Sequence, residues 1–250
     1  MQSLKFFLSY ILITSCLLSC AKKQDDDNPY QNLTEKQLYN EADDYIKKGQ
    51  YTSAIKRLEA MGSLYPFSNY AEKTQMNMIY AYYQNTDYPS AAAEADRYIQ
   101  LYPRSDNVDY AYYMKGLANF QQPRGTFAKI LPLDESWRDP GTQTEAYSDF
   151  ASLIEKFPNS RYKADSLQHM IYLRNMFAQR ELNAATFYFE RKMYVAAAER
   201  ASFMLKNYQQ APANKQALIL LAKANRALGL KNATNEADTI KITTFKNTAQ

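Results

Sequence analysis

Small and aromatic side chains recur along the chain with a fixed spacing. Ala54 follows Tyr51 by three residues and precedes Pro66 by twelve. The same frame returns in three further stretches, with Gln209 in place of the last proline: Tyr88, Ala91 and Pro103; Ala146 and Pro158; Tyr194, Ala197 and Tyr208. An alanine where two helices cross lets their backbones approach closely, an aromatic ring fills the neighbouring gap, and a proline stops the helix. The pattern therefore predicts repeated pairs of antiparallel helices.

This spacing resembles the tetratricopeptide (TPR) repeat, a helical pair of about 34 residues. One pair cannot bury its apolar face alone, whereas stacked pairs share a continuous core and form a solenoid. Few glycines (6) and many tyrosines (22) agree with helices packed through aromatic rings. We predict an all-α protein, an α-solenoid of about five TPR helix pairs. The first helix begins near Thr34, which forms a capping box with Gln37.

The amino terminus has the features of a secretory signal. Lys5 is followed by an apolar run over 6–18, which at 13 residues is too short for a spanning helix of about 20. The sequence LLSC, which ends at Cys20, resembles the bacterial lipobox. That resemblance implies a lipid on Cys20 and a membrane anchor without a transmembrane helix. The alternative is an ordinary cysteine, paired with Cys16.

Four segments follow from these patterns. Residues 1–19 are predicted to be a signal peptide, and 20–32 a lipidated, polar tether with three consecutive aspartates. Residues 33–161 hold repeats one to three, and 162–250 hold a linking helix and repeats four and five.

The third repeat carries an insertion of about 20 residues between its helices, which includes the only tryptophan, Trp137. Loops of that length in a compact array are usually functional or held in place. Two interpretations stay open: the apolar residues of the insertion cover the open edge of the repeat, or they contact a partner. Those residues are Phe127, Ile130, Leu131 and Trp137.

Several blocks of the sequence together resemble one family. They are YPFSNY (65–70), NVDYAYYMKGLANF (107–120), RDP (138–140), YSDFASLIEKFPNSRY (147–162) and FYFERKMYVAAAER (187–200). These blocks, their order and the lipobox resemble the BamD (ComL) family, the TPR lipoproteins of the outer-membrane β-barrel assembly machinery. The resemblance implies a scaffold that works with other lipoproteins of that machinery. Ala21 lacks the aspartate that retains lipoproteins at the inner membrane, which implies the periplasmic face of the outer membrane.

Aromatic residues of repeats one to three form a candidate substrate groove. An extended peptide could be held there by ring stacking and by hydroxyl hydrogen bonds, although core packing is the competing explanation for each ring. In the family, the first repeats are implicated in recognising the targeting signal of unfolded outer-membrane proteins. The candidate residues are Tyr65, Phe67, Tyr70, Tyr82, Tyr83, Tyr110, Tyr112 and Tyr113.

A second candidate contact lies in repeat four. By resemblance, Arg200 occupies the position of an arginine that is important for binding a POTRA domain of the barrel subunit BamA, and Glu190 and Arg191 belong to the same block. The alternative is an intramolecular salt bridge. Lys192 stands where many relatives have glycine, so the local turn geometry needs testing.

The sequence contains no enzyme motif. It lacks a glycine-rich phosphate loop, a GxSxG elbow and an HExxH pair, and a single histidine, His169, is poor equipment for a metal site. We therefore expect no catalysis, no metal and no cofactor besides the lipid on Cys20. A net charge of +4 without a basic block argues against nucleic acid. The alternative functions are a periplasmic TPR lipoprotein that coordinates peptidoglycan or cell-division factors and, more remotely, an envelope hydrolase.

Overall fold

The computed structural model describes residues 29–122 and 141–230. Every regular element within those two ranges is an α-helix. The helices are α1 (Glu35–Lys47), α2 (Tyr51–Leu64), α3 (Ala71–Gln84), α4 (Tyr88–Leu101), α5 (Val108–Gln121), α6 (Gly141–Lys156), α7 (Lys163–Glu190), α8 (Tyr194–Asn207) and α9 (Asn214–Ala227). The predicted signal peptide, Cys16, Cys20, the insertion at 123–140 and the chain after 230 lie outside the described residues.

The helices stack in chain order. Each helix packs against the next one, and α1 also contacts α3, α3 contacts α5, and α7 contacts α9. This is the arrangement of a solenoid in which each helical pair packs on its neighbours. The prediction of an all-α solenoid of TPR pairs is confirmed. The predicted second helix of the fifth pair would follow residue 230 and so lies outside the described residues.

The recurring alanines lie where the prediction required them. Ala54, Ala91, Ala146 and Ala197 are all fully buried. Each stands in the first or second turn of the second helix of its pair, where the absence of a larger side chain lets the two backbones approach closely.

The second helices end in a common way. Pro66, Pro103 and Pro158 each follow the last helical residue by two positions. Gln209 holds the equivalent place after α8, yet the capping residue Tyr208 (φ −120°, ψ 52°) has nearly the conformation of Tyr102 (φ −125°, ψ 54°). The helix end therefore keeps its geometry without the proline.

Turn and cap residues define the first helices. The capping box of α1 is confirmed: Gln37 N–H donates to Thr34 Oγ1 (3.3 Å), and Thr34 N–H donates to Gln37 Oε1 (2.9 Å). Lys192 adopts φ 62°, close to the 70° of Gly49 at the equivalent turn. The turn before α8 therefore has the same form as the turn before α2, in spite of the lysine.

The long helix α7 joins two parts that the sequence analysis treated separately. The predicted linking helix and the first helix of repeat four form one continuous helix of 28 residues. Its first half packs with α5 and α6 through Leu173, and its second half packs with α8 and α9 through Ala178 and Leu182. One rigid element thus carries the core from the third repeat into the fourth.

Candidate functional site

The three tyrosines of α5 divide between two neighbours. Tyr113 stacks on Tyr162 with ring centroids 4.5 Å apart, and its hydroxyl donates to Asp165 Oδ2 at 2.8 Å. Tyr110 approaches the same Tyr162 at 5.9 Å, and burial raises the pKa of both hydroxyls. Tyr112 instead packs on the end of α6, where the Lys156 amine donates to its hydroxyl oxygen at 2.7 Å. These rings join α5 to α6 and to the start of α7.

Tyr82 and Tyr83 are adjacent on α3 but belong to different clusters. Tyr82 packs against the core of α1, α2 and α3, and its hydroxyl donates to Glu59 Oε1 at 2.6 Å. Tyr83 packs against the core of α3, α4 and α5 and meets the edge of Tyr88 at 5.5 Å. The two rings therefore serve successive helix interfaces.

The loop between α2 and α3 holds the remaining three candidates. The hydroxyl of Tyr65 donates to the carbonyl of Leu33 at 2.7 Å, and Tyr70 stacks on Tyr39 at 4.7 Å. Phe67 is different, because its side chain is 99% exposed. Of the eight candidates, Phe67 alone offers a fully exposed ring to a ligand.

The structure thus distributes seven of the eight candidates over several internal contacts and leaves Phe67 exposed. It also shows aromatic contacts that the sequence analysis missed, between Tyr39 and Tyr70, Tyr51 and Tyr80, and Tyr110 and Tyr162. Tyr51 was part of the repeat frame, so the frame itself was the signal that pointed to one of these rings.

The three candidates of repeat four lie at two different heights along the hairpin formed by α7 and α8. Arg200 on α8 pairs with Glu181 on α7, with Nη1 3.1 Å from Oε2. Glu190 and Arg191 lie at the far end of α7, nine and ten residues beyond Glu181, which is roughly 14 Å along a helix. The guanidinium of Arg191 lies 3.5 Å from the ring centroid of Phe187.

Exposed apolar side chains lie at this turn and along α8, where Phe203 stands three residues beyond Arg200. We call them the α7–α8 surface: Phe187, Met193, Val195 and Phe203, each at least 40% exposed. A contiguous exposed apolar patch of this kind can form part of a protein interface, whereas single exposed apolar side chains are normal on a free surface. The side chain of Arg200 is 48% exposed, so its pair with Glu181 leaves part of the guanidinium accessible.

A cavity that the sequence analysis did not predict lies where α6, α7 and α8 meet. It has a volume of about 320 Å³. We call it the junction cavity; its lining residues are Thr144, Tyr147, Arg174, Phe177, Arg180, Glu181, Asn207 and Tyr208. No sequence motif marks it, because its walls come from three helices of two repeats.

The described residues show no metal centre. No group of three or more histidine, cysteine, aspartate or glutamate side chains in 29–122 and 141–230 is placed to hold an ion. His169 stacks on Phe150 with centroids 5.1 Å apart, and its Nε2 lies 3.2 Å from Asp165 Oδ2. These contacts give the histidine a packing role. Within the same ranges, no helix is both long and apolar enough to span a bilayer.

Comparisons with known proteins place the chain in a family. The model of the YfiO family, described as "Outer membrane lipoprotein", matches residues 31–240. The "Outer membrane protein assembly factor BamD" of Xylella fastidiosa Temecula1 is 36% identical over 229 residues, which cover 92% of this chain and 76% of that protein. The chain belongs to the BamD family.

Other BamD proteins extend the same match. BamD of Vibrio cholerae is 34% identical over 226 residues, covering 90% of this chain and 92% of its own length. A solved tetratricopeptide repeat protein from Parabacteroides merdae has 13% identity and a TM-score of 0.38, with 84% of this chain and 79% of that chain covered. The predicted resemblance to the BamD family is confirmed along most of the chain, including α7 and the two hairpins beside it.

Proposed function

We propose that this chain is a non-enzymatic scaffold that helps to assemble β-barrel proteins in the outer membrane. The observation that carries the proposal is the 36% identity over 92% of the chain to a protein named as an outer membrane protein assembly factor. A stack of helical pairs suits this role, because its continuous core supports several separate binding surfaces.

The anchor of the scaffold is a lipid on Cys20, which holds the chain at the periplasmic face of the outer membrane. Each buried methylene of an acyl chain contributes about 0.8 kcal/mol, so several chains on one residue anchor a protein durably. Cys20→Ser is expected to move the protein from the membrane fraction to the soluble fraction. Cys16→Ser is the matched control, and it should stay in the membrane fraction. Equal membrane retention of the two variants would contradict the anchor.

The principal partner in this proposal is a POTRA domain of a BamA-type barrel protein, bound through Arg200 and the α7–α8 surface, with Glu190 and Arg191 at its edge. Exposed apolar side chains and a half-exposed arginine are the support for this contact. Arginine and aromatic residues are enriched among the side chains that dominate interface energies.

The experiment that tests this contact separates it from an internal salt bridge. Arg200→Gln and Glu181→Gln both break the pair, so both should lower stability by the same small amount, about 0–1 kcal/mol. Only Arg200→Gln should lose co-purification with the barrel protein. If both variants retain the complex, or both lose it equally, Arg200 is not the contact. Recovery with cell-wall hydrolases in place of a barrel protein would favour the alternative function.

Unfolded outer-membrane proteins are the proposed substrates of repeats one to three. Phe67 is the best point of contact among the candidate aromatic residues, because its ring is exposed while the hydroxyls of Tyr65, Tyr82 and Tyr113 are engaged within the protein. Phe67→Ala should weaken crosslinking to an unfolded substrate and change stability by less than about 0.5 kcal/mol. Unchanged crosslinking would exclude Phe67 as the contact.

A further inference from the structure

The junction cavity has the size and shape of a binding site for a small group. Its volume of about 320 Å³ lies at the lower end of the range for ligand pockets, which is about 300–1,000 Å³. Its walls come from the first two turns of α6, the middle of α7 and the end of α8. The core packing of α7 against α5, α6, α8 and α9 holds the helices that form these walls.

Three aromatic rings line one part of the cavity in a row. The ring centroids of Tyr147 and Phe177 are 6.4 Å apart, and those of Phe177 and Tyr208 are 6.3 Å apart. Both pairs are tilted, so ring faces and ring edges are presented together. An incoming aromatic side chain could pack against such a row in the offset or edge-to-face geometry that rings prefer.

Two arginines supply positive charge to the same cavity. Arg174 donates from Nη2 to the amide oxygen of Asn175 at 3.2 Å, and this acceptor is neutral. Across 29–122 and 141–230, no carboxylate lies within 4 Å of the guanidinium of Arg174 or of Arg180. The one acidic group of the wall, Glu181, is bound to Arg200. The cavity therefore presents more positive than negative charge.

Tyr208 adds a neutral hydrogen-bond donor to this wall. Burial and the nearby Glu181 carboxylate raise the pKa of its hydroxyl above the ordinary value, so the hydroxyl stays protonated at physiological pH. A guanidinium binds a carboxylate through two parallel hydrogen bonds, and such charge-assisted bonds are about twice as strong as neutral ones. Glu181 disfavours a doubly charged phosphate more than a singly charged carboxylate, because it repels each negative charge.

We propose that the junction cavity binds an acidic, aromatic segment of an extended peptide. The carboxylate of an aspartate or glutamate side chain pairs with Arg174 and Arg180, and an adjacent aromatic ring packs on Phe177 and its two neighbours. This site lies between repeats three and four, apart from Phe67, and it adjoins the Arg200 contact through Glu181, which lines the cavity and pairs with Arg200. It would give the chain a sequence preference of its own for an acidic residue beside an aromatic one.

Binding of a defined peptide to the full chain tests the proposal. The probe is an unlabelled peptide, Gly-Phe-Asp-Gly with both ends blocked, and the comparison is the same peptide with asparagine. Isothermal titration calorimetry should show the aspartate peptide binding at least tenfold more tightly. Arg174→Gln and Arg180→Gln should each weaken its binding by about tenfold, and Arg180→Lys should retain part of it because the charge remains.

The matched control is Lys206→Gln, which removes an exposed positive charge from α8 next to the cavity wall. It should change binding by less than twofold, and melting temperatures should stay equal across the variants. Equal binding of the asparagine peptide, or an equal loss in Lys206→Gln and Arg180→Gln, would overturn the proposal. Displacement of the peptide by phosphatidylglycerol vesicles or by millimolar inorganic phosphate at equal ionic strength would also overturn it, in favour of a phosphate site.

Discussion

Three of the turns inside the helical pairs each contain one residue with a left-handed φ. Gly49 (φ 70°), Thr86 (φ 62°) and Lys192 (φ 62°) each stand two residues before the second helix of a pair. At each turn, this residue and the one after it donate their backbone N–H groups to carbonyl oxygens of the first helix, at 2.9–3.0 Å. Only glycine adopts a left-handed φ without a steric cost, which is about 1–2 kcal/mol for other residues.

Replacing Thr86 by glycine should therefore stabilise the protein. Thr86 is exposed and β-branched, so Thr86→Gly relieves strain and loses no packing. After the entropy cost of an added glycine, the expected gain is about 0.5–1 kcal/mol, measured by urea unfolding. Gly49→Ala is the reciprocal control and should lower stability by about 1 kcal/mol. A loss of stability in Thr86→Gly would contradict the strain argument.

A serine stands two residues after each proline that follows a second helix, Pro66, Pro103 and Pro158. Ser68, Ser105 and Ser160 accept hydrogen bonds from backbone N–H groups two residues on, at 3.0–3.2 Å. Ser105 also donates to Glu72 Oε1 at 2.6 Å, and so does the buried Tyr98 at 2.7 Å. These two bonds lower the pKa of the Glu72 carboxyl below its ordinary value. The two side chains that hydrogen-bond to the Ser105 hydroxyl come from α3 and α4, so the sequence near Ser105 does not reveal them.

The lowered pKa of Glu72 predicts a pH dependence of stability. Because the folded state favours the charged carboxylate, its contribution is present above the unfolded pKa of about 4.3 and is lost as pH falls through the lowered folded pKa. Glu72→Gln should therefore cost about 1 kcal/mol near pH 7 and progressively less below pH 4. Urea unfolding from pH 3 to 7 measures this difference. Ser105→Ala should flatten the same profile, and a difference independent of pH would exclude the charge as its cause.

At the scale of elements, α5 and α6 meet through a glycine. A methyl group placed on Gly116 would lie 2.7 Å from a ring carbon of Phe150, so the helix approaches the ring closely. One turn further on, Asn119 donates to Asp149 Oδ2 at 2.8 Å, and Lys115 lies 3.5 Å from Asp149 Oδ1. Burial raises the pKa of the Asp149 carboxyl, and these two partners partly offset that rise. An apolar contact and a paired buried charge thus define this interface together.

Gly116→Ala should weaken the interface. The added methyl group forces Phe150 away from its place, which costs about 1–3 kcal/mol and outweighs the higher helix propensity of alanine. Thermal unfolding measures the loss. Gly62→Ala is the matched control, because Gly62 also lies in a helix but has no atom within 4 Å of the added methyl group. It should gain up to about 1 kcal/mol, and a gain of equal size in Gly116→Ala would disprove the close contact.

At the scale of the whole molecule, stability passes from one helical pair to the next. Each described helix packs mainly on its immediate neighbours, and α7 spans the third and fourth repeats as one element. In such an array the total stability is close to a sum of terms for single repeats and terms for adjacent interfaces. A destabilising substitution near one end of the array should therefore affect fewer helices than one in the middle.

Hydrogen exchange should show this difference. Leu38→Ala removes a fully buried side chain from α1 and should cost about 2–5 kcal/mol, with faster exchange confined to α1 and its neighbours. Phe150→Ala removes a fully buried ring between α5 and α7 and should speed exchange on both sides of that interface. Mass spectrometry after deuterium labelling of the full chain measures both. Uniform loss of protection along the whole chain in Leu38→Ala would contradict the neighbour-by-neighbour description.

The sequence by itself determined the helical class and most of the helix pairs, but not the extent of α7, which continues through the predicted start of repeat four. Alanine, proline and the capping pair Thr34 and Gln37 act on their own helix or on the adjacent one, so their effect can be read from local spacing. The same locality explains why the repeat frame and the family blocks pointed to the fold and the family. The burial of Ala54 and its equivalents follows from that frame.

Only the tertiary structure decided which aromatic rings are free and where a cavity opens. Phe67 is exposed, although it is an aromatic residue of the same repeats as Tyr65, Tyr82 and Tyr113. The hydroxyls of those three tyrosines donate to groups up to 52 residues away in the sequence. The junction cavity likewise combines side chains of α6, α7 and α8. The relative rotation of helices in neighbouring repeats sets these contacts, and that rotation depends on the packing of all the side chains between them.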